Sequence, residues 1–216
     1  MKRKAVLGAV AAALALAMAY AQAAPDDKPG WCAGIDLTRS NLGLSTSGID
    51  SALANQGIAG STSISTQDTG VGLNLGYRFS RSFTLEGGYI DLGRYNYGTL
   101  VTGPPSDTVQ GVYKAHAFSI SAVRILPMNQ RWSLYGKAGL ARISTDLGAA
   151  SLTGATTLSN VSGSNYGWLL GVGATYDFAG NWFGKTGWDR YAHVGDPSGS
   201  GRRGINVFSL GMGVRF

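Results

Sequence analysis

Gly204 to Phe216 read GINVFSLGMGVRF. Counting back from the end, Phe216, Val214, Met212, Leu210 and Phe208 fall on one face, and Arg215, Gly213, Gly211, Ser209 and Val207 on the other. Side chains alternate like this along a strand, not along a helix. An unbroken apolar face backed by glycine, serine and arginine matches a strand with lipid on one side and a polar lumen on the other.

The same alternation recurs upstream and predicts eight strands, near residues 31–39, 71–79, 83–95, 113–126, 132–143, 164–178, 182–191 and 205–216. In the second, Val71, Leu73, Leu75, Tyr77 and Phe79 oppose Gly72, Asn74, Gly76 and Arg78. In the sixth, Trp168, Leu170, Val172, Ala174, Tyr176 and Phe178 oppose Gly167, Gly171, Gly173, Thr175 and Asp177. Long polar stretches, near 40–69, 96–111, 144–163 and 192–203, alternate with short turns at 80–81, 127–130 and 179–181. That is the pattern of an up-and-down barrel with one decorated rim and both termini at the other. Strands of roughly 9–14 residues suffice, since a tilted transmembrane strand takes about 9–11. Tyr77, Phe79, Phe83, Trp132, Tyr176, Phe178, Trp182, Phe208 and Phe216 predict an aromatic girdle at the periplasmic interface. The fold class expected is all-β: a transmembrane, up-and-down, antiparallel eight-stranded barrel whose last strand pairs with the first and so removes both open edges.

Composition agrees. Charged residues are 14% of the 216, against about 25% in soluble domains, too few for an ordinary water-facing surface. Lys2, Arg3 and Lys4, then the uncharged run Ala5 to Ala21 and the small-x-small site Ala21-Gln22-Ala23, read as a signal peptide over 1–23, leaving a barrel domain over 24–216. The apolar run is shorter than the roughly 20 residues of a spanning helix. Without this leader 15 basic residues face 12 acidic, a net charge of +3 in place of +6, and no nucleic-acid partner is implied. Cys32 is the single cysteine, no His/Cys spacing fits a metal, and no cofactor is expected.

Three stretches carry a family resemblance: LEGGYIDLGR (Leu85–Arg94), YKAHAFSISAVRILP (Tyr113–Pro127) and SLYGKAGLARISTD (Ser133–Asp146). In order and spacing they resemble the transmembrane domain of outer membrane protein A, and the chain from about Trp31 to Phe216 is similar to that OmpA-like eight-stranded family without its periplasmic peptidoglycan-binding domain. The resemblance implies a place in the cell outer membrane, contact with its lipids and lipopolysaccharide, and assembly by the barrel assembly machinery, which reads a terminal aromatic, here Phe216. With both termini at the short-turn end the long Ser/Thr/Gly-rich loops face outside, where they are exposed to host or phage ligands. In the family a buried acid and inward bases form a network proposed to gate a narrow pore. Glu86 matches the acid, Lys137 an inward arginine of the fifth strand and Lys185 the arginine of the seventh. Val123 and Thr175 depart from the pattern, standing where the family has a lysine and a glutamate.

Spacing brings the same three residues together independently. Each lies about four to six residues above a periplasmic turn, and a tilted strand climbs roughly 2.5 Å per residue, so they should meet near mid-membrane. The other inward charges are Asp36, Arg78, Asp177, Asp189 and Arg215, with Arg215 expected near Arg78 and Asp177. Four acids then balance four bases, as costly buried charge requires. An eight-stranded interior is only just wide enough to be filled by side chains. A structural or surface-interaction role therefore stands beside a narrow low-conductance pore. A small-solute porin and a lipid A-modifying enzyme are the alternatives.

Catalysis is not expected. His116 and Ser119 are three apart and so on opposite faces of a strand, while His193, Asp196 and Ser198 fall in a loop. Arg202 and Arg203, with Arg39 and Arg94 near the same rim, are placed either to contact lipopolysaccharide phosphates or simply to solvate the loops.

Overall fold

The computed structural model describes residues 29–42, 60–64, 66–101, 107–151, 161–178, 180–194 and 203–216. The leader over 1–23 and the domain boundary at residue 24 lie outside them. The strands are β1 (Gly30–Leu42), β2 (Gly60–Ile64), β3 (Gln67–Ser80), β4 (Phe83–Val101), β5 (Asp107–Pro127), β6 (Trp132–Ser151), β7 (Val161–Asp177), β8 (Trp182–Val194) and β9 (Arg203–Arg215). Every pairing is antiparallel, and no helix occurs among the described residues. Eight strands close a barrel in the circular order β1-β3-β4-β5-β6-β7-β8-β9, and short β2 lies against the far end of β4, from Ile64↔Tyr97 to Gly60↔Val101.

The seam is the pairing of β9 with β1, in register from Leu42↔Ile205 to Cys32↔Arg215. Beyond it Trp31 and Phe216 exchange two main-chain hydrogen bonds of 2.8 Å each. The β5–β6 and β7–β8 turns lie at the same end of the barrel and are tight. Asn129 Oδ1 accepts from the amides of Arg131 and Trp132 at 2.9 and 2.8 Å, which fixes the β5–β6 turn. Gly180, at φ +74°, makes the β7–β8 turn.

Outward residues form an apolar belt: Leu37, Ile120, Leu140 and Leu210 are all more than 60% exposed. Such a belt around the whole circumference is uncovered in water and covered in lipid. Trp31, Tyr77, Phe79 and Phe83 touch in sequence at centroid spacings of 5.3, 4.9 and 5.9 Å, and Trp132, Tyr176 and Phe178 at 4.9 and 5.3 Å. These rings are the short-turn girdle. Phe208 departs from the expectation: it pairs with Arg39 and Trp188, toward the long-loop interface.

Two further differences have physical causes. Strands β4, β5 and β6 run 19, 21 and 20 residues, longer than expected, so parts of the stretches 40–69, 96–111 and 144–163 read as loops are ladder. Beyond the membrane the outer face needs no apolar side chains, so the alternation fades while backbone pairing continues. In β4 a bulge between Asp91 and Gly93 shifts the register. Gly93 sits at φ +108°, and a Cβ there would lie 2.7 Å from Asp68 Cβ, so only glycine fits. Leu92, within the bulge, continues the inward face of Ile90, and past the bulge Tyr95 turns inward; both are fully buried.

Candidate functional site

The barrel interior has two storeys. In the lower one Lys185 and Asp189 share the inward face of β8, four residues apart. Asp36 reaches them from β1, Glu86 from β4 and Lys137 from β6. Their charges alternate in one chain: Asp36–Lys185 at 3.6 Å, Lys185–Glu86 at 3.5 Å, Glu86–Lys137 at 3.7 Å and Lys137–Asp189 at 2.8 Å. Asn74 Nδ2 donates to Asp36 Oδ2 at 2.8 Å, and the Lys185 ammonium stands 5.9 Å from the centroid of Tyr135. Glycines make the room: a Cβ on Gly171 would run into Asp189 and Lys137, and one on Gly211 into Asp36. The chain holds three carboxylates against two ammoniums.

The other inward charges lie elsewhere. Arg215 pairs with Asp177 at 2.7 Å and stacks its guanidinium 4.6 Å from the Phe183 ring, at the short-turn end. Arg78 donates to the carbonyls of Ser80 and Arg81 at 3.2 and 3.5 Å, so it braces the β3–β4 turn. Val123 is buried opposite Lys137, and Thr175 lies opposite Lys185. Alternation alone places Asn74, Tyr135, Gly171 and Gly211 on the inward face, but not their contacts with the charges.

The upper storey is apolar. Ile90, Leu92, Tyr95, Ala115, Ala117, Ala141, Ile143, Leu169, Tyr191, Ile205 and Val207 form one buried cluster inside the barrel, partly covered by Tyr113. The lumen is therefore not polar throughout, contrary to the expectation from β9 alone, and Val207 already belonged to its inward face. The Tyr95 hydroxyl lies 2.9 Å from Ser40 Oγ and 2.7 Å from the Leu92 carbonyl, tying β4 to β1 across the cluster. Between the storeys a cavity of ≈ 30 Å³, bordered by Thr38, Asp189 and Ser209, is wide enough for water and too small for a solute. Thr38 Oγ1 and Asp189 Oδ1 are buried without a protein hydrogen-bond partner.

His116 lies beside Tyr89, 6.1 Å between ring centroids, on the outer face, whereas Ser119 borders the inner cavity. The two do not share a surface. Among the described residues no three His, Cys, Asp or Glu side chains are placed to hold a metal ion. Asp196, Ser198 and Arg202 lie outside the described residues, as do the side chains of His193 and Arg203. Arg39 donates to Gln67 Oε1 at 2.6 Å on the outer rim, and Arg94 is exposed there.

Solved structures of similar fold include bacterial outer membrane and surface proteins. Neisserial surface protein A is 15% identical, aligned over 88% of this chain and 99% of its own, with a TM-score of 0.55. The outer membrane protein OprG from Pseudomonas aeruginosa is 15% identical over 87% and 95%, with a TM-score of 0.51. Ail, the attachment invasion locus protein of Yersinia pestis, solved with the heparin analogue sucrose octasulfate, is 15% identical over 88% and 99%, with a TM-score of 0.49. At these identities the likeness is one of fold. No curated protein matches the chain in sequence. The family model described as "Outer membrane protein beta-barrel domain" matches residues 9–216. The chain thus belongs to the outer membrane protein beta-barrel domain family and is a protein of the cell outer membrane.

Proposed function

We propose that the chain is a non-enzymatic outer membrane barrel with a structural or surface-interaction role, in which the closed wall is a scaffold and the extracellular loops meet host or phage ligands. The observation that carries this reading is the double filling of the interior, an ion-paired layer beneath a buried apolar one. A continuous aqueous path would have to break both. Lipopolysaccharide contact through Arg202 and Arg203, and delivery by the barrel assembly machinery through Phe216, belong to the same proposal. So does the role of the inward charges as a plug. Planar-bilayer recording on the refolded barrel is the test, with a silent membrane expected. The second reading, a narrow pore, draws on the continuous charge chain. Discrete current steps whose size changes in Lys185→Met would replace the plug with that pore.

A further inference from the structure

The lipid-facing wall is uneven. Where β3, β4, β5 and β6 cross one level, the outward residues are Leu75, Gly87, Ile120 and Leu140. The absent side chain at Gly87 opens a groove of ≈ 910 Å³ between Leu75 and Ile120, roofed toward the long loops by Arg142 and Tyr166. That is the size of a small-molecule site, about 300–1,000 Å³. Packing does not demand the glycine: a Cβ at residue 87 would meet nothing closer than the Leu75 carbonyl oxygen, 3.8 Å away. Its backbone is not among the positive-φ glycines either.

Leucines, isoleucine and aromatic rings line the groove, and the charge on its border is a cation. The exposed Arg142 guanidinium reaches Ser164 Oγ at 3.4 Å with one nitrogen, which leaves further N–H donors for a ligand. An apolar slot at hydrocarbon depth, ending under an arginine at the interface, matches an acyl chain below an anionic headgroup. We infer that this groove binds one chain of an anionic phosphorylated membrane lipid, with the phosphate on Arg142. A zwitterionic lipid carries its own ammonium to that arginine and is the poorer ligand.

Native mass spectrometry of the whole barrel, released from detergent containing equal phosphatidylglycerol and phosphatidylcholine of identical chains, tests the site. The wild type should retain phosphatidylglycerol about tenfold over phosphatidylcholine, the effect of one charge-assisted contact. Gly87→Leu, whose Cβ would meet nothing closer than 3.8 Å and whose side chain points into the groove, should lower retention of both lipids. Arg142→Gln, an exposed change that leaves the barrel folded, should make the two equal. Undiminished retention in Gly87→Leu overturns the groove, and a surviving preference in Arg142→Gln overturns the headgroup assignment. Dimers that vanish in Gly87→Leu would give the groove to a second copy of the chain and overturn the lipid.

Discussion

Glu86 lies between Lys137 and Lys185, but it is not the sole partner of either. Asp189 holds Lys137 at 2.8 Å and Asp36 holds Lys185 at 3.6 Å. Losing Glu86 therefore leaves each lysine a carboxylate partner. Without Glu86 two pairs remain and the layer is neutral. Without Lys185, three carboxylates share one ammonium. Removing a buried ion's partner costs about 3–5 kcal/mol, whereas removing an ion whose neighbours keep other partners costs nearer 1–2 kcal/mol. Lys185→Met should accordingly destabilise the barrel by the larger amount and Glu86→Gln by the smaller, measured as urea unfolding from lipid vesicles. The double variant restores the wild-type excess of one carboxylate and should lie closer to wild type than Lys185→Met alone. Equal losses in the two single variants, or no recovery in the double, would sink this division of roles.

Strand β4 shows both the reach of sequence pattern and its limit. Phe83, Leu85 and Tyr89 face out and Thr84, Glu86 and Ile90 in, as alternation requires, because lipid on one side and packing on the other select every residue up to Ile90. Leu92 continues that inward face, but the bulge at Asp91-Leu92-Gly93 then brings Tyr95 to the interior, and a period of two cannot report an inserted residue. The inward place of Tyr95 was unreadable for that reason. The members of the apolar storey come from six strands, and several are alanines or tyrosines that fit a strand on either face. The charge layer was more legible, since an acid or a lysine set within an outer membrane strand has nowhere to go but inward. Its partners, unlike its members, depend on side-chain length and on the glycines opposite. Gly93→Ala should cost about 1–3 kcal/mol, from backbone strain together with the approach to Asp68. Hydrogen exchange should show faster amides at Leu92 and Tyr95, with β8 and β9 unchanged. Unaltered protection at those two amides would mean that the bulge does not hold the upper storey in place.

Closure joins the first and last strands of the barrel in space. β1 and β9 are in register over their length, and the last main-chain groups to pair are those of Trp31 and Phe216. A single residue thus occupies two roles that can be separated: its backbone closes the seam, while its ring is the feature proposed to be read during assembly. Phe216→Ala keeps both 2.8 Å main-chain bonds and removes only a half-buried ring at the interface, worth about 1 kcal/mol or less by the area lost. The variant refolded into vesicles should therefore unfold close to the wild-type midpoint and retain a heat-dependent shift in gel mobility. If the ring is read as proposed, the variant's outer membrane level in cells should fall several-fold, since that reading would come before closure. Wild-type levels in cells would remove the ring from assembly. A large loss of stability in vesicles, with levels falling in parallel, would instead place the defect in the seam and make Phe216 a packing residue of the closed barrel.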